Sequence, residues 1–148
     1  AVASGGGCDH VRWRAAREHA FAEEAGQMNV FVRIGDEVVT PELSGTILPG
    51  ITRESVITLL EAWGIKTRSR RVSMRELADA SRSGELLEIF GAGTAAVVAP
   101  VTSIRHLDEE ISVAPQAEES LAERLRETLL GIQHGEIDDP YDWVVPVL

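Results

Sequence analysis

One cysteine and one lysine stand among 148 residues. Cys8 alone cannot close an internal disulfide, so a cross-linked secreted scaffold is excluded. No motif surrounds Cys8, and a buried inert thiol is its expected role. With a single lysine, Lys66, arginine carries nearly all the positive charge, and the formal net charge is −10. Such a chain repels polyanions, so neither nucleic acid nor an anionic membrane is an expected partner. Arg68, Arg70, Arg71 and Arg75 cluster, but they read as a solvated strand face and helix start. No apolar run reaches transmembrane length, and no apolar leader core opens the chain. With the lone cysteine, this reads as a cytoplasmic protein. His10, His19, His106 and His134 show no metal-ligand spacing, so no metal is expected, and no serine sits in a nucleophile elbow.

What is present suits a single domain over residues 1–148 with a sizeable core. The opening Ala1–Gly7 reads as the end of something longer. The pattern is mixed α and β. Val11–Arg14 alternates like a strand, and Met28–Ile34 is a firmer one. Gly35-Asp36 predicts a turn, with Glu37–Thr40 as its hairpin partner. Thr52 is expected to cap a helix whose apolar positions are Val56, Leu59, Leu60 and Trp63, closed by Gly64. Ile65–Val72 reads as one strand. Ser73 and Glu76 form a capping box for a helix to about Arg82, ended by Gly84. Leu86–Phe90 predicts a short strand, and Ala95–Ile104 a buried one interrupted by Pro100. A hairpin-like connection is expected over His106–Val113. A last helix is expected from about Glu118 to His134, with Leu121, Leu125, Leu129 and Ile132 inward. The tail from Asp139 should pack across the surface.

Three segments carry candidate chemistry. In Leu48–Arg53, Pro49 and Gly50 shape a turn into a helix start, where free N–H groups and the dipole attract anions. Gly50 is expected to use a backbone geometry closed to other residues. On residue chemistry alone, an ordinary loop-to-helix turn is the commoner meaning of such a segment. In Phe90–Ala95, two glycines after a strand allow close approach to the backbone, and Thr94 adds a hydroxyl. A sharp strand-to-strand bend is the alternative. Glu24 offers a carboxylate that would keep a neighbouring pyridine nitrogen protonated. On its own, a solvated acidic pair with Glu23 at a strand start is the better explanation. Together the three could hold an anionic aromatic cofactor such as pyridoxal phosphate, yet Lys66 lies in none of them.

The order of the segments adds a further indication. Glu24-Ala-Gly-Gln-Met-Asn29, Val39–Arg53, Glu88–Val97 and Gly131–Gly135 together closely resemble the branched-chain amino acid aminotransferases. These are pyridoxal phosphate enzymes of fold type IV. The resemblance implies the family's C-terminal large domain, with mixed sheets in a pseudo-barrel flanked by helices. It implies pyridoxal 5′-phosphate as cofactor, held by Glu24 at the ring nitrogen and by Gly50, Ile51, Thr52 and Thr94 at the phosphate. Gln27, Thr94 and Ala95 would meet the substrate. Gln27 stands where many members have threonine or glycine, which bears on substrate choice.

The implied reaction exchanges the amino group of leucine, isoleucine or valine with 2-oxoglutarate, in a homodimer of the full chain. The Schiff-base lysine and a phosphate-binding arginine of the family lie upstream of the first motif. The chain therefore reads as a C-terminal portion with no catalytic residue of its own, inactive alone. Ala96–Ala99 lacks the paired cysteines of some relatives, so no redox switch is expected there. A partner-dependent or non-catalytic cofactor-binding remnant is one alternative. A D-amino acid aminotransferase or aminodeoxychorismate lyase is another.

Overall fold

A computed structural model describes residues 28–45, 47–94, 96–106, 108–114 and 120–147, and the backbone of residues 13–14, 21–22 and 24–25. The early strands β1 (Trp13–Arg14), β2 (Phe21–Ala22) and β3 (Glu24–Ala25) are two residues each. Strand β4 (Met28–Ile34) turns through Gly35 into β5 (Glu37–Thr40). Gly35 takes φ +58°, a backbone that glycine adopts without steric penalty.

Helix α1 (Ile51–Ala62) then crosses to β6 (Lys66–Ser69), which pairs parallel to β5. Next come β7 (Val72–Ser73), α2 (Met74–Ser83), β8 (Leu86–Gly93) and β9 (Val97–Val101). A two-stranded hairpin, β10 (Ser103–His106) and β11 (Glu109–Ser112), precedes α3 (Leu121–Gln133).

Strand β4 is the centre of a seven-stranded sheet. It holds β3 and β5 along one edge and β8 along the other, all antiparallel. Its consecutive residues Val30, Phe31 and Val32 are all buried, because both faces of the sheet are covered. Val30 and Val32 pack with Leu77 of α2 and with Ile104 and Ile111 of the hairpin. Phe31 faces Leu59 and Leu60 of α1 and Leu125 of α3, and stacks on Phe90 of β8 at 5.2 Å. The alternation along one strand thus divides the core into two layers. This is the mixed α/β architecture expected.

Local signals read from the sequence hold in several places. Ser73 accepts from the Glu76 N–H, and Gly84 ends α2 in a left-handed conformation. The face of α1 falls on Val56, Leu59 and Leu60, with Trp63 packed beside them. The tail packs in part: Tyr141 stacks on Trp143 at 4.4 Å and both lie against the α1–α3 layer, while Val145 and Val147 are exposed.

Four expectations need correction. The strand foreseen over Ile65–Val72 breaks after Ser69. The Arg70 N–H bonds Thr40 O, and its guanidinium turns to Glu76 and Glu37. Val72 then pairs with β2 in a separate ribbon. The strand foreseen to end at Phe90 runs on to Gly93. The break foreseen at Pro100 falls at Thr102, since Pro100 is tolerated within β9, which pairs only with β8 among the described residues. The last helix begins at Leu121, not near Glu118, because Ser120 is its extended N-cap.

Glu88 locks α3 onto the sheet. Its buried carboxylate accepts from Ser120 Oγ at 2.8 Å, from the Leu121 N–H at 3.1 Å and from the Ala122 N–H at 3.3 Å. Arg33, opposite it on β4, approaches at 3.5 Å. Glu88→Ala should therefore strand buried donors and destabilise the fold by about 2–3 kcal/mol. A urea unfolding midpoint that stays at the parent value would contradict this account of the α3 start.

Candidate active site

The N-terminal end of β4 is where the three segments meet. The Cα of Asn29 lies opposite Glu24 on β3 and opposite Ala92 on β8. From there the Asn29 side chain, 7% exposed, reaches the third segment: its Nδ2 donates to Leu48 O at 2.9 Å. Strand pairing brings Glu24 and the Ala92–Thr94 stretch to one end of the sheet, and one amide ties the helix-leading turn to it. Thr94 is exposed in the turn between β8 and β9. Val97, just past that turn, holds φ +57°, a left-handed backbone unusual for a β-branched residue. Gln27 and Ala95 lie outside the described residues, as does the Glu24 side chain.

The turn itself differs from expectation in two ways. Gly50, not Thr52, is the N-cap of α1, and no side chain caps the helix. Thr52 sits inside the first turn, so its hydroxyl is not spent on the backbone. Gly50 has φ −69°, open to any residue. Glycine matters there for another reason: a Cβ would sit on Asn29 Oδ1 and force that amide to shift. The Gly50 N–H folds back to Leu48 O at 2.9 Å, a tight turn around Pro49. Among the described residues, the N–H groups of Ile51 and Thr52 have no acceptor. The Ile51 side chain is 87% exposed and Leu48 70%, so this helix end is open. Two free amides and the positive end of a helix dipole can receive an anion.

The glycines of the second segment are not equivalent. A Cβ at Gly91 would meet the Met28 side chain at 3.1 Å, so that glycine serves packing between β4 and β8. Gly93 ends the strand.

Two residues carry more than their sequence context suggested. Asn29 stood in a quoted motif with no role. Arg53 is 3% exposed, and its guanidinium bonds Pro41 O, Ser69 Oγ and Glu54. Its Nε is buried without a partner. A signal existed: Arg53 lies three residues before Val56 and seven before Leu60, on the buried stripe of α1.

Lys66 is remote from this end. It is level with Glu37, which is level with Ile34, five residues along β4 from Asn29. That separates them by roughly 17 Å at the rise of a strand. Lys66 is half-exposed and pairs with Glu37 at 3.6 Å, as Arg68 does at 3.3 Å and Arg70 at 3.4 Å. Arg71 is bound to Glu42, so Arg68, Arg70 and Arg71, expected on a solvated strand face, are also ion-paired there. His106 and His134 join no group of three metal-binding side chains among the described residues. No helix there is long and apolar enough to cross a membrane.

Residues 16–104 match the family of class IV amino-transferases, and the chain belongs to that family. Among its relatives is branched-chain-amino-acid transaminase 1 of Bacillus subtilis, 45% identical over 141 residues, 95% of this chain and 40% of that protein. The branched-chain-amino-acid aminotransferase of Mycolicibacterium smegmatis is 40% identical over 142 residues, 93% of this chain and 39% of that protein. The fold is similar to the branched-chain amino acid aminotransferase from Escherichia coli, at a TM-score of 0.67 and 27% identity over 90% of this chain and 41% of that one. It is also similar to an aminotransferase from Brucella abortus bound to the co-factor PLP, at 0.59 and 29% identity over 78% of this chain and 36% of that one. The chain thus spans about two fifths of the length of these relatives.

Proposed function

We propose that this chain supplies the C-terminal part of the cofactor and substrate site of a branched-chain amino acid aminotransferase working through pyridoxal phosphate. The observation that carries this reading is the junction at Asn29, which joins the strand of Glu24, the turn at Gly50 and the strand leading to Thr94. The donor chemistry fits the cofactor. Gly50 lets the turn close against the Asn29 amide, and the Ile51 and Thr52 N–H groups, without an acceptor among the described residues, are available to a phosphate.

Arg53 supports the same reading. A buried cation in the first turn opposes the helix dipole, and its one carboxylate partner among the described residues, Glu54, is largely exposed. A bound dianion would offset that cost.

When bound, pyridoxal phosphate supplies an electron sink for breaking the bond at a substrate's α-carbon. In this reading Glu24 keeps the ring nitrogen protonated. Ile51 and Thr52 hold the phosphate through their amides, Thr52 and Thr94 add hydroxyls, and Gly50 shapes the turn that presents those amides. The amides of Thr94 and Ala95 receive the substrate carboxylate, with Gln27 lining the same side. The substrates are leucine, isoleucine or valine and their 2-oxo acids. The lysine comes from another part of a longer chain, acting as a cytoplasmic homodimer.

Thr52→Val tests the cradle. Because Thr52 caps nothing, its loss should leave the stability within about 0.5 kcal/mol of the parent without ligand. Stabilisation by added pyridoxamine 5′-phosphate, which needs no lysine, should shrink in proportion to lost affinity. An equal gain in parent and variant would remove Thr52 from the phosphate site.

A further inference from the structure

We propose that Asn29 is the positioning residue of this site, setting the span between its two ends. The inference rests on the cofactor reading above and adds a residue to it. The distance between a ring nitrogen and a phosphate on the same small molecule is fixed by covalent bonds. A protein that grips both must hold its carboxylate and its anion cradle at a matching separation, on elements that do not drift. Here the carboxylate residue is on β3 and the cradle follows a loop of the β5–α1 crossover. Among the described residues, β3 pairs with β1 and β4, and no strand pairing joins it to that loop.

Asn29 makes the tie. Its backbone is level with Glu24 in the β3–β4 ladder. Its Nδ2 holds Leu48 O at 2.9 Å, the same oxygen that accepts the Gly50 N–H at 2.9 Å. Its Oδ1 occupies the space a side chain at Gly50 would need. The amide therefore lies against the turn with one atom bonding it and the other in contact with it. The asparagine is buried, while the Leu48 end of the bond lies at the open turn. Helix α1 begins at the next residue, Ile51, and its first amides inherit their aim from this contact. Gly50 and Asn29 thus form one unit: the glycine exists to admit the asparagine.

That dependence makes the proposal testable with a double-mutant cycle on the chain itself. Melting is followed for the parent, Asn29→Ala, Gly50→Ala and the double variant, each with and without pyridoxamine 5′-phosphate. Gly50→Ala alone should lower the melting point clearly, because its methyl collides with Oδ1. In the Asn29→Ala background the same methyl has room, so the double variant should melt well above the additive expectation.

Affinity should not follow that recovery. Asn29→Ala and the double variant, both folded, should bind pyridoxamine 5′-phosphate at least tenfold more weakly than the parent. A residue with a merely structural role would restore binding whenever it restored folding. Folded Asn29→Ala binding as tightly as the parent would overturn the inference and leave the cofactor reading standing. Additive melting points would also overturn it, by uncoupling the two residues. A parent that gains no stability from the ligand would instead overturn the cofactor reading, and this inference with it.

Discussion

Given pyridoxal phosphate, leucine and 2-oxoglutarate, the isolated chain should turn over no substrate. The reason is positional. Transamination through this cofactor needs an amine at the reacting carbon to form the covalent link and carry the proton. Lys66 is the chain's only lysine, and it lies roughly 17 Å along the sheet from Asn29 at a strand's rise per residue. It is also committed to the ion pair with Glu37. Borohydride reduction should therefore tie no cofactor to one lysine in stoichiometric yield, and Lys66→Arg should behave as the parent does. Turnover by the pure chain would overturn this and give Lys66 or the N-terminal amine a part. Mixing in a class IV segment that carries the lysine separates two readings. Activity restored in trans would favour a partner-dependent subunit over one half of a single chain.

The site could be read from the sequence as segments but not as an assembly. Each segment has a local signature: glycine before a helix, glycines after a strand, a carboxylate beside a strand. Local chemistry gives each an ordinary explanation, and only their order argued otherwise. What a linear reading could not reach is contact across the sheet. Asn29 and Leu48 are 19 residues apart, and the amide joining them depends on how a loop folds back over β4.

The reason for Gly50 was misread for the same cause. Glycine suggests unusual dihedrals, but here it answers a neighbour distant in sequence. Arg53 shows the opposite case. Its position on the buried stripe of α1 was legible from periodicity, but a charged residue on an apolar face draws the eye to solvent. Helix ends fared well where one side chain decides them, as at Ser73 and Gly84. The strand break after Ser69 did not: there the Arg70 guanidinium turns to Glu76 and Glu37, contacts that no single local signal announces.

In a complete, lysine-bearing chain, Glu24→Gln should retain the cofactor yet slow turnover by about 10- to 1000-fold. The size follows from electrostatics. An opposite charge at hydrogen-bond range shifts a pKa by roughly 1–3 units, and each unit is worth about tenfold in an equilibrium or a rate. With glutamine, the ring nitrogen loses the anion that keeps it protonated, so it draws electrons less strongly from the breaking bond. The phosphate end is built separately, on the turn at Gly50 and the start of α1, so affinity should fall far less than turnover. The cofactor absorption band should move as the nitrogen's protonation changes. Glu24→Asp keeps the charge on a shorter stem and should fall between the two. Parent rates and an unmoved band in Glu24→Gln would show that the carboxylate on β3 does not meet the ring, whatever holds the phosphate.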